Sequence, residues 1–497
     1  MQIQVTTSHH DQTRAPSRAS SAVFKETDKH GQGFCDFLNA TPTVFHAVDF
    51  YSTRLKASGY KHLAERDDWS ETLKAGGKYF FTRNYSSLIA FTIGEKYVAG
   101  NGIAIIGSHI DALTMRVKPV STKSSAGYLQ LAVAPYAGGG NMTWWDRDLG
   151  LAGRVMVSDA SGGIKQHLVR LPYPIAKIPT LAPHFGAPSR GPFDAETQMT
   201  PIVGLEPQTV EHELEKQFNV LSTDAVNNPQ KNHSPRLLAA VAKQLGIKVS
   251  QISDFELELF DFQPAQPFGL DGELLSVPRC DDKLCSYAAM EALLNCTSDR
   301  ECITQSGAIH MVYLCDDEEV GSGLRQGAGG NMVPLAVERI VDVLNKSDKR
   351  TQNLVAMTFA RSFLISADVK HALNPNFVGA YEPNMAPRLN VGPVISCDAN
   401  AHMTTDAVSK SFCQKIANRA GSTLQLFQIR NGQPSGGTIG PMLSSKTGIR
   451  AIDIGIPQLA MHSIRATTGA KDPGLGVKYF EAFFRQFEEV EGTIKVD

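Results

Sequence analysis

At 497 residues the chain exceeds one ordinary core, so two domains are expected, each long enough to bury a sizeable apolar interior. Apolar residues make up 42% of it and charged residues 20%, which excludes a disordered or fibrous chain. The 48 basic and 50 acidic side chains nearly cancel and form no long single-sign run, so neither nucleic acid nor an anionic membrane is an expected partner.

Residues 1–33 are rich in Ser, Thr, Gln, His and charge and lack the apolar centre of a signal peptide, so they read as a mobile tail on a cytoplasmic protein that folds from about Phe34. No stretch approaches the roughly 18–20 apolar residues that cross a bilayer. The run Ile103–Ile106 reads as a buried strand ending in Gly107-Ser108-His109-Ile110-Asp111. Over about 123–266 the texture changes: Gly138-Gly139-Gly140, several prolines and short alternating stretches such as Leu129–Val133 predict short strands and turns. Within it, Ser234 as cap, Pro235 in the first turn, a stripe of Leu237, Leu238, Val241 and Leu245, and Gly246 as stop predict a helix.

After about 267, strands and helices alternate: a helix over Leu284–Leu294, a strand over His310–Leu314, another ending near Asp368 and another over Ile449–Ile454. The last helix sets Phe480, Phe483, Phe484 and Phe487 at i, i+3, i+4 and i+7. The expected fold is α/β, with a central mixed sheet flanked by helices, built from 34–122 and 267–497 and interrupted by a mostly β segment, 123–266. The eight cysteines form no dense framework and read as reduced thiols.

Five places join a predicted strand end to a metal-ligand type of side chain: His109, Asp281 with Asp282, Glu318 with Glu319, Asp368, and His462. Each alone has a bland reading, a hydrogen-bonded histidine or a solvated acidic turn. Together they matter, because strand ends of an open α/β sheet face one crevice. Asp281, Glu319 and Asp368 in one pocket would repel and be driven to protonate unless cations sit among them. Two divalent ions would bring four positive charges against three carboxylates and acidify a water between them. Imidazole and carboxylate ligands suit zinc, with cobalt or manganese as other occupants. In the adjacent pair Glu318-Glu319, one side chain can bind metal while its neighbour moves a proton.

The chain resembles the aspartyl aminopeptidase and vacuolar aminopeptidase I family of zinc metallopeptidases from about Phe34 to its end. The resemblance rests on Gly107-Ser-His-Ile-Asp111, Trp145-Asp-Arg-Asp-Leu-Gly-Leu-Ala-Gly-Arg154, Asp281-Asp-Lys-Leu284, Asp316-Asp-Glu-Glu-Val-Gly-Ser322, Ser366-Ala-Asp-Val-Lys-His371, Ser435-Gly-Gly-Thr-Ile-Gly-Pro441 and Met461-His-Ser-Ile-Arg465. It implies an aminopeptidase acting on peptides with two zinc ions per subunit. Asp281 would bridge them, His109 and Asp368 would bind one ion, and Glu319 and His462 the other. It further implies Glu318 as general base and Asp111 as the carboxylate that orients His109. The segment 123–266 would be an inserted dimerisation domain, with His184 reaching a neighbouring subunit's site in a dodecamer built from dimers. Gly436, Gly437 and Thr438 would line the side-chain pocket.

The acid-specific branch of that family carries a lysine in the segment equivalent to Ile395–Met403, where this chain has Asp398 and no lysine. An acid there would repel an aspartyl side chain. The segment His462–Gly476 is closer to the vacuolar branch, which prefers leucine and other neutral residues, so neutral residues are the expected substrate and Asp or Glu the alternative. Residues 1–33 lack the apolar helical stripe of that branch's propeptide, which argues against its route to the vacuole. Two rivals remain: a two-metal deacylase or carboxypeptidase on a related core, and a non-catalytic cargo or assembly protein on the same scaffold.

Overall fold

The structure, a computed structural model, describes residues 28–159, 161–206 and 229–496. Strands β1 (Lys61–His62), β2 (Lys78–Arg83), β3 (Ser87–Ile93) and β4 (Ile103–His109) come first. The chain then leaves the layer they begin for β5 (Thr114–Ser125), β6 (Tyr128–Tyr136), β7 (Leu149–Ser158), β8 (Ile164–Arg170), β9 (Ile202–Leu205) and β10 (Ile252–Asp261). It returns through β11 (Gln266–Phe268), β12 (Leu274–Val277), β13 (Ile309–Cys315), β14 (Phe363–Ser366), β15 (Lys370–His371), β16 (Val394–Cys397), β17 (Gln425–Gln428), β18 (Arg450–Gly455), β19 (Pro457–Gln458) and β20 (Ala466–Gly469).

A nine-stranded mixed sheet has the order β1-β2-β3-β13-β4-β14-β18-β16-β17, and a six-stranded antiparallel sheet the order β8-β7-β10-β5-β6-β9. In the large sheet β13, β4, β14 and β18 run parallel. Parallel strands are covered by helices on both faces, which is why β4 and β13 are mostly apolar and are buried at every residue. The period of two still shows in the packing. Ala104 and Ile106 join the core that holds the helix Asp472–Glu491, while Ile103 and Ile105 join the core on the other face, with the helix Met332–Leu344. Phe480, Phe483, Phe484 and Phe487 all lie in the first of these cores. The six-stranded sheet packs Leu151, Leu257 and Leu259 against Leu238 and Val241 of the helix Pro235–Leu245.

Gly246 closes that helix in the left-handed conformation, as its position predicts, whereas Ser234 makes no side-chain cap hydrogen bond. Two further expectations are corrected. The folded chain starts before Phe34: Asp28 caps a helix, Lys29–Ala40, by accepting from the backbone N–H groups of His30 and Gly31, while residues 1–27 lie outside those described. Two of the thiols are not free, because Cys296 and Cys302 form a disulfide with Cα atoms 5.9 Å apart. The physical reason is a helix break at Asp299, whose carboxylate caps the next turn and folds Cys302 back onto Cys296. Cys280, Cys285 and Cys315 are free and buried, as expected of reduced thiols. Among the described residues no helix is long and apolar enough to cross a membrane.

Candidate active site

The register of the parallel strands sets the site. Cys315 of β13 pairs with His109 at the end of β4, and Ser366 of β14 pairs with Gly107, so the three chains leave the sheet side by side. His109 is the last residue of β4, Asp368 lies two residues past β14, and Glu318-Glu319 form a single 3-10 turn after β13. That turn is entered through Asp317 and left through Gly321, both at positive φ. Asp281 stands in the non-helical first turn of the helix Cys280–Ser298, and His462 in a loop with φ of 61°. A positive φ at non-glycine residues such as Asp317 and His462 is a backbone cost that surrounding contacts must hold in place.

All of these side chains meet. Asp281 Oδ1 lies 3.2 Å from Nε2 of His109, and its Oδ2 lies 3.4 Å from Nε2 of His462. Glu319 stands 3.5 Å from His462, while Glu318 and Asp368 stand 3.8 and 3.9 Å from His109. Behind His109, Asp111 Oδ1 is 3.2 Å from Nδ1. The two carboxylate oxygens of Asp111 also accept the backbone N–H groups of Glu318 and Glu319, each at 3.2 Å. One buried carboxylate therefore fixes both the imidazole and the acidic turn.

Burial pushes Glu319 up to about 10 and Glu318 up to about 7, with neighbouring carboxylates adding to the shift and His109 opposing it. Asp368 rises to about 6, again through burial first. Asp281 is different: burial disfavours its charge, yet hydrogen bonds with His109 and His462 hold it below the usual carboxylate range. Both imidazoles are raised, His462 chiefly by its bond to Asp281 and His109 by Glu318, Asp111 and Asp281 against its burial. Were all four acids ionised they would carry more negative charge than two imidazoles can balance, and without further cations three of them are driven towards protonation. Glu319 Oε1 is moreover buried without a hydrogen-bond partner. Donors of this kind, nitrogen and carboxylate oxygen converging with lone pairs to spare, fit divalent cations of the zinc type.

Other expected residues stand apart. His184 lies in an exposed turn, Pro183–Phe185, and among the described residues makes no hydrogen bond or ion pair to the cluster of its own chain. Gly436 and Gly437 are exposed, and an added Cβ at either meets nothing within 4 Å. Thr438 is buried and donates to Asp453 Oδ1 at 2.6 Å, so its hydroxyl is committed to the protein. Asp398 accepts from Nδ1 and the backbone N–H of His402 and from the N–H of Asn400, which leaves its charge largely spent within its own loop.

The structure also gives a place at the site to Asp282, to which the sequence assigned no role, and to Ser286, which it passed over. Asp282 shares a possible metal-binding group with His109 and Asp368 while accepting from Ser108 Oγ at 2.5 Å. Ser286, one helical turn on, donates to the carbonyl of His109 at 2.6 Å. The acidic pair pointed at Asp282, but nothing in the sequence pattern pointed at Ser286.

The profile of the family described as Aminopeptidase I zinc metalloprotease (M18) matches residues 37–484. The chain is 42% identical over 471 residues to vacuolar aminopeptidase 1 of Saccharomyces cerevisiae, covering 92% of this chain and 88% of that one. It is 40% identical over 498 residues to the aspartyl aminopeptidase of Aspergillus oryzae, covering 96% of this chain and 100% of that one. Among solved structures, the mApe1 dodecamer of Saccharomyces cerevisiae has a TM-score of 0.81 at 39% identity, over 93% of this chain and 98% of that one.

Proposed function

Because the chain belongs to the M18 family of zinc aminopeptidases, we propose that it frees single N-terminal residues from peptides with two zinc ions per subunit, favouring neutral residues such as leucine. Asp281 would be shared by both ions, with His109 and Asp368 completing one site and Glu319 and His462 the other. The observation that carries this reading is that the two oxygens of Asp281 face different imidazoles, at 3.2 and 3.4 Å. Ions held there supply positive charge that polarises a scissile carbonyl and lets water attack near neutral pH. Cobalt or manganese would fit the same donors.

Glu318 is the proposed base. Its carboxylate stands beside the ligands, 3.8 Å from His109, where it can take a proton from the attacking water and return one to the departing amine. Asp111 holds Glu318 by its backbone N–H and His109 by its ring, so base and ligand keep a fixed separation. The open space at Gly436 and Gly437 gives a substrate backbone room to approach, with Thr438 anchoring the loop behind them.

The preference for neutral residues rests on the segment where the acid-specific branch carries a lysine. Ile395–Met403 contains no lysine, and the buried Lys370 faces Asp368 and Asp453. The second reading, release of Asp or Glu, is favoured by the 40% identity to an aspartyl aminopeptidase. Chromogenic amides of Leu, Asp, Glu and Lys, each with and without a chelator, separate the two. Fastest release from the Leu substrate, abolished by chelation, is expected; release from the Asp substrate alone would overturn the neutral preference.

We take the segment expected over 123–266, whose sheet in fact begins earlier, at Thr114 of β5, as the inserted dimerisation domain, with His184 serving the neighbouring subunit and dimers building the dodecamer seen in the yeast relative. Cytoplasmic residence is proposed, and the name of the yeast relative supports a vacuolar destination as the alternative.

A further inference from the structure

We propose that Tyr136, on the small sheet, is a positioning residue of the active site, acting through Asp111 on His109 and on the turn that carries Glu318 and Glu319. The inference rests on the function proposed above. Tyr136 is the last residue of β6, and its pairing with Thr114 of β5 returns it to within a few residues of Asp111. Its hydroxyl donates to Asp111 Oδ2 at 2.7 Å, the shortest of the four contacts made by that carboxylate. The other three are the ring of His109 and the N–H groups of Glu318 and Glu319, each at 3.2 Å.

A carboxylate has about four lone-pair sites; Asp111 accepts three hydrogen bonds and faces Nδ1 of His109 with the remainder, and that nitrogen also meets the Asp111 backbone carbonyl at 3.2 Å. Without the phenol, one lone pair of a buried carboxylate would lose its partner, and an unpaired polar group in a dry site is costly. Asp111 can recover that cost only by turning away from the imidazole or the acidic turn. The phenol is itself held. The Arg116 guanidinium of β5 lies 3.8 Å from the centre of its ring, and Arg116 Nε lies 3.4 Å from Glu258 of β10, a buried carboxylate. Burial and the carboxylates of Asp111 and Asp316 raise the phenol's pKa, so it remains a donor. Three strands of the small sheet thus end in one hydrogen bond that reaches the ligand and the base on the large one. A tyrosine that merely filled space would need only an acceptor, and its loss would be felt in stability alone.

The test uses the full chain and Tyr136→Phe, which keeps the ring under Arg116. Turnover of a leucine amide should fall ~10–100-fold in kcat with KM within about twofold, and zinc affinity, measured by competition with a chelating dye, should weaken about tenfold. The Tm of the metal-free chain should stay within about 3 °C of wild type. In an Asp111→Ala background the same substitution should add no further loss, since its effect passes through that carboxylate. Unchanged kcat and zinc affinity, or a full additional loss in the Asp111→Ala background, would overturn the proposal. The zinc measurement needs no turnover: a wild-type chain that binds zinc but releases no residue would sink the aminopeptidase reading and leave Tyr136 judged by affinity.

Discussion

The two sheets divide the work, and their burial shows how. In the large sheet β4 and β13 are buried throughout and end together, so residues just past their ends converge in one crevice. In the small sheet β5 is buried at Thr114 and Met115, then runs out to solvent by Ser125. One sheet is enclosed and delivers His109, Asp368 and the Glu318-Glu319 turn; the other has a buried end that braces them and an outer end exposed to solvent. A site of crowded like charges needs both, because ligands on a rigid layer still have side chains that rotate until something behind them is fixed.

The comparison breaks first at Glu318. Glu318→Gln should lower kcat by ~10³-fold or more while zinc content stays near that of wild type, as expected when a proton-transfer group is removed and the ligands remain. Full activity in this variant, followed with a leucine amide, would remove Glu318 as the base. Next comes packing. Leu314→Ala on the enclosed β13 should cost ~2–5 kcal/mol in denaturant unfolding, whereas Leu205→Ala on β9, 66% exposed, should stay within about 0.5 kcal/mol. Similar costs at both positions would erase the contrast between the sheets.

A smaller, pH-dependent effect follows from His310 on β13. Burial, with Arg485 nearby, lowers its pKa to about 4 from an ordinary 6.5. Between those values the unfolded chain binds a proton that the folded chain does not, so this contribution is complete above pH 6.5 and is lost as pH falls towards 4. At pH 5 the loss is ~2 kcal/mol. Melting curves at pH 7 and 5 should show a smaller drop for His310→Leu than for wild type; equal drops would remove His310 from the account. The smallest effect is expected at the loop. Gly437→Ala meets no protein atom within 4 Å, so it should leave Tm unchanged and act, about two- to fivefold, on KM alone.

Much of the large sheet was legible because its physics is local. Strands enclosed on both faces must be largely apolar, and polar residues at or right after the end of such a run must go somewhere. His109, Glu318-Glu319 and Asp368 stood out for that reason, with the strands extending one to three residues past the apolar runs Ile103–Ile106 and His310–Leu314. The small sheet was legible only as texture. Its helix Pro235–Leu245 announced itself through proline, stripe and glycine, but the hydrogen bond from Tyr136 depends on the register that pairs it with Thr114, which no spacing in the chain encodes. The Cys296–Cys302 bond was missed for a similar reason, since it depends on a helix break at Asp299. Asp398 was read as an acid aimed at substrate because its type was visible, while its ring of local donors was not.

The sharing of Asp281 is the claim on which the account depends, and counting ions tests it most directly. Zinc titrated by calorimetry into chain stripped of metal should reach two equivalents per subunit. Asp281→Ala should abolish both, while His109→Ala and His462→Ala should each lose one. A wild-type endpoint of one equivalent, or an Asp281→Ala chain that still binds two, would contradict it.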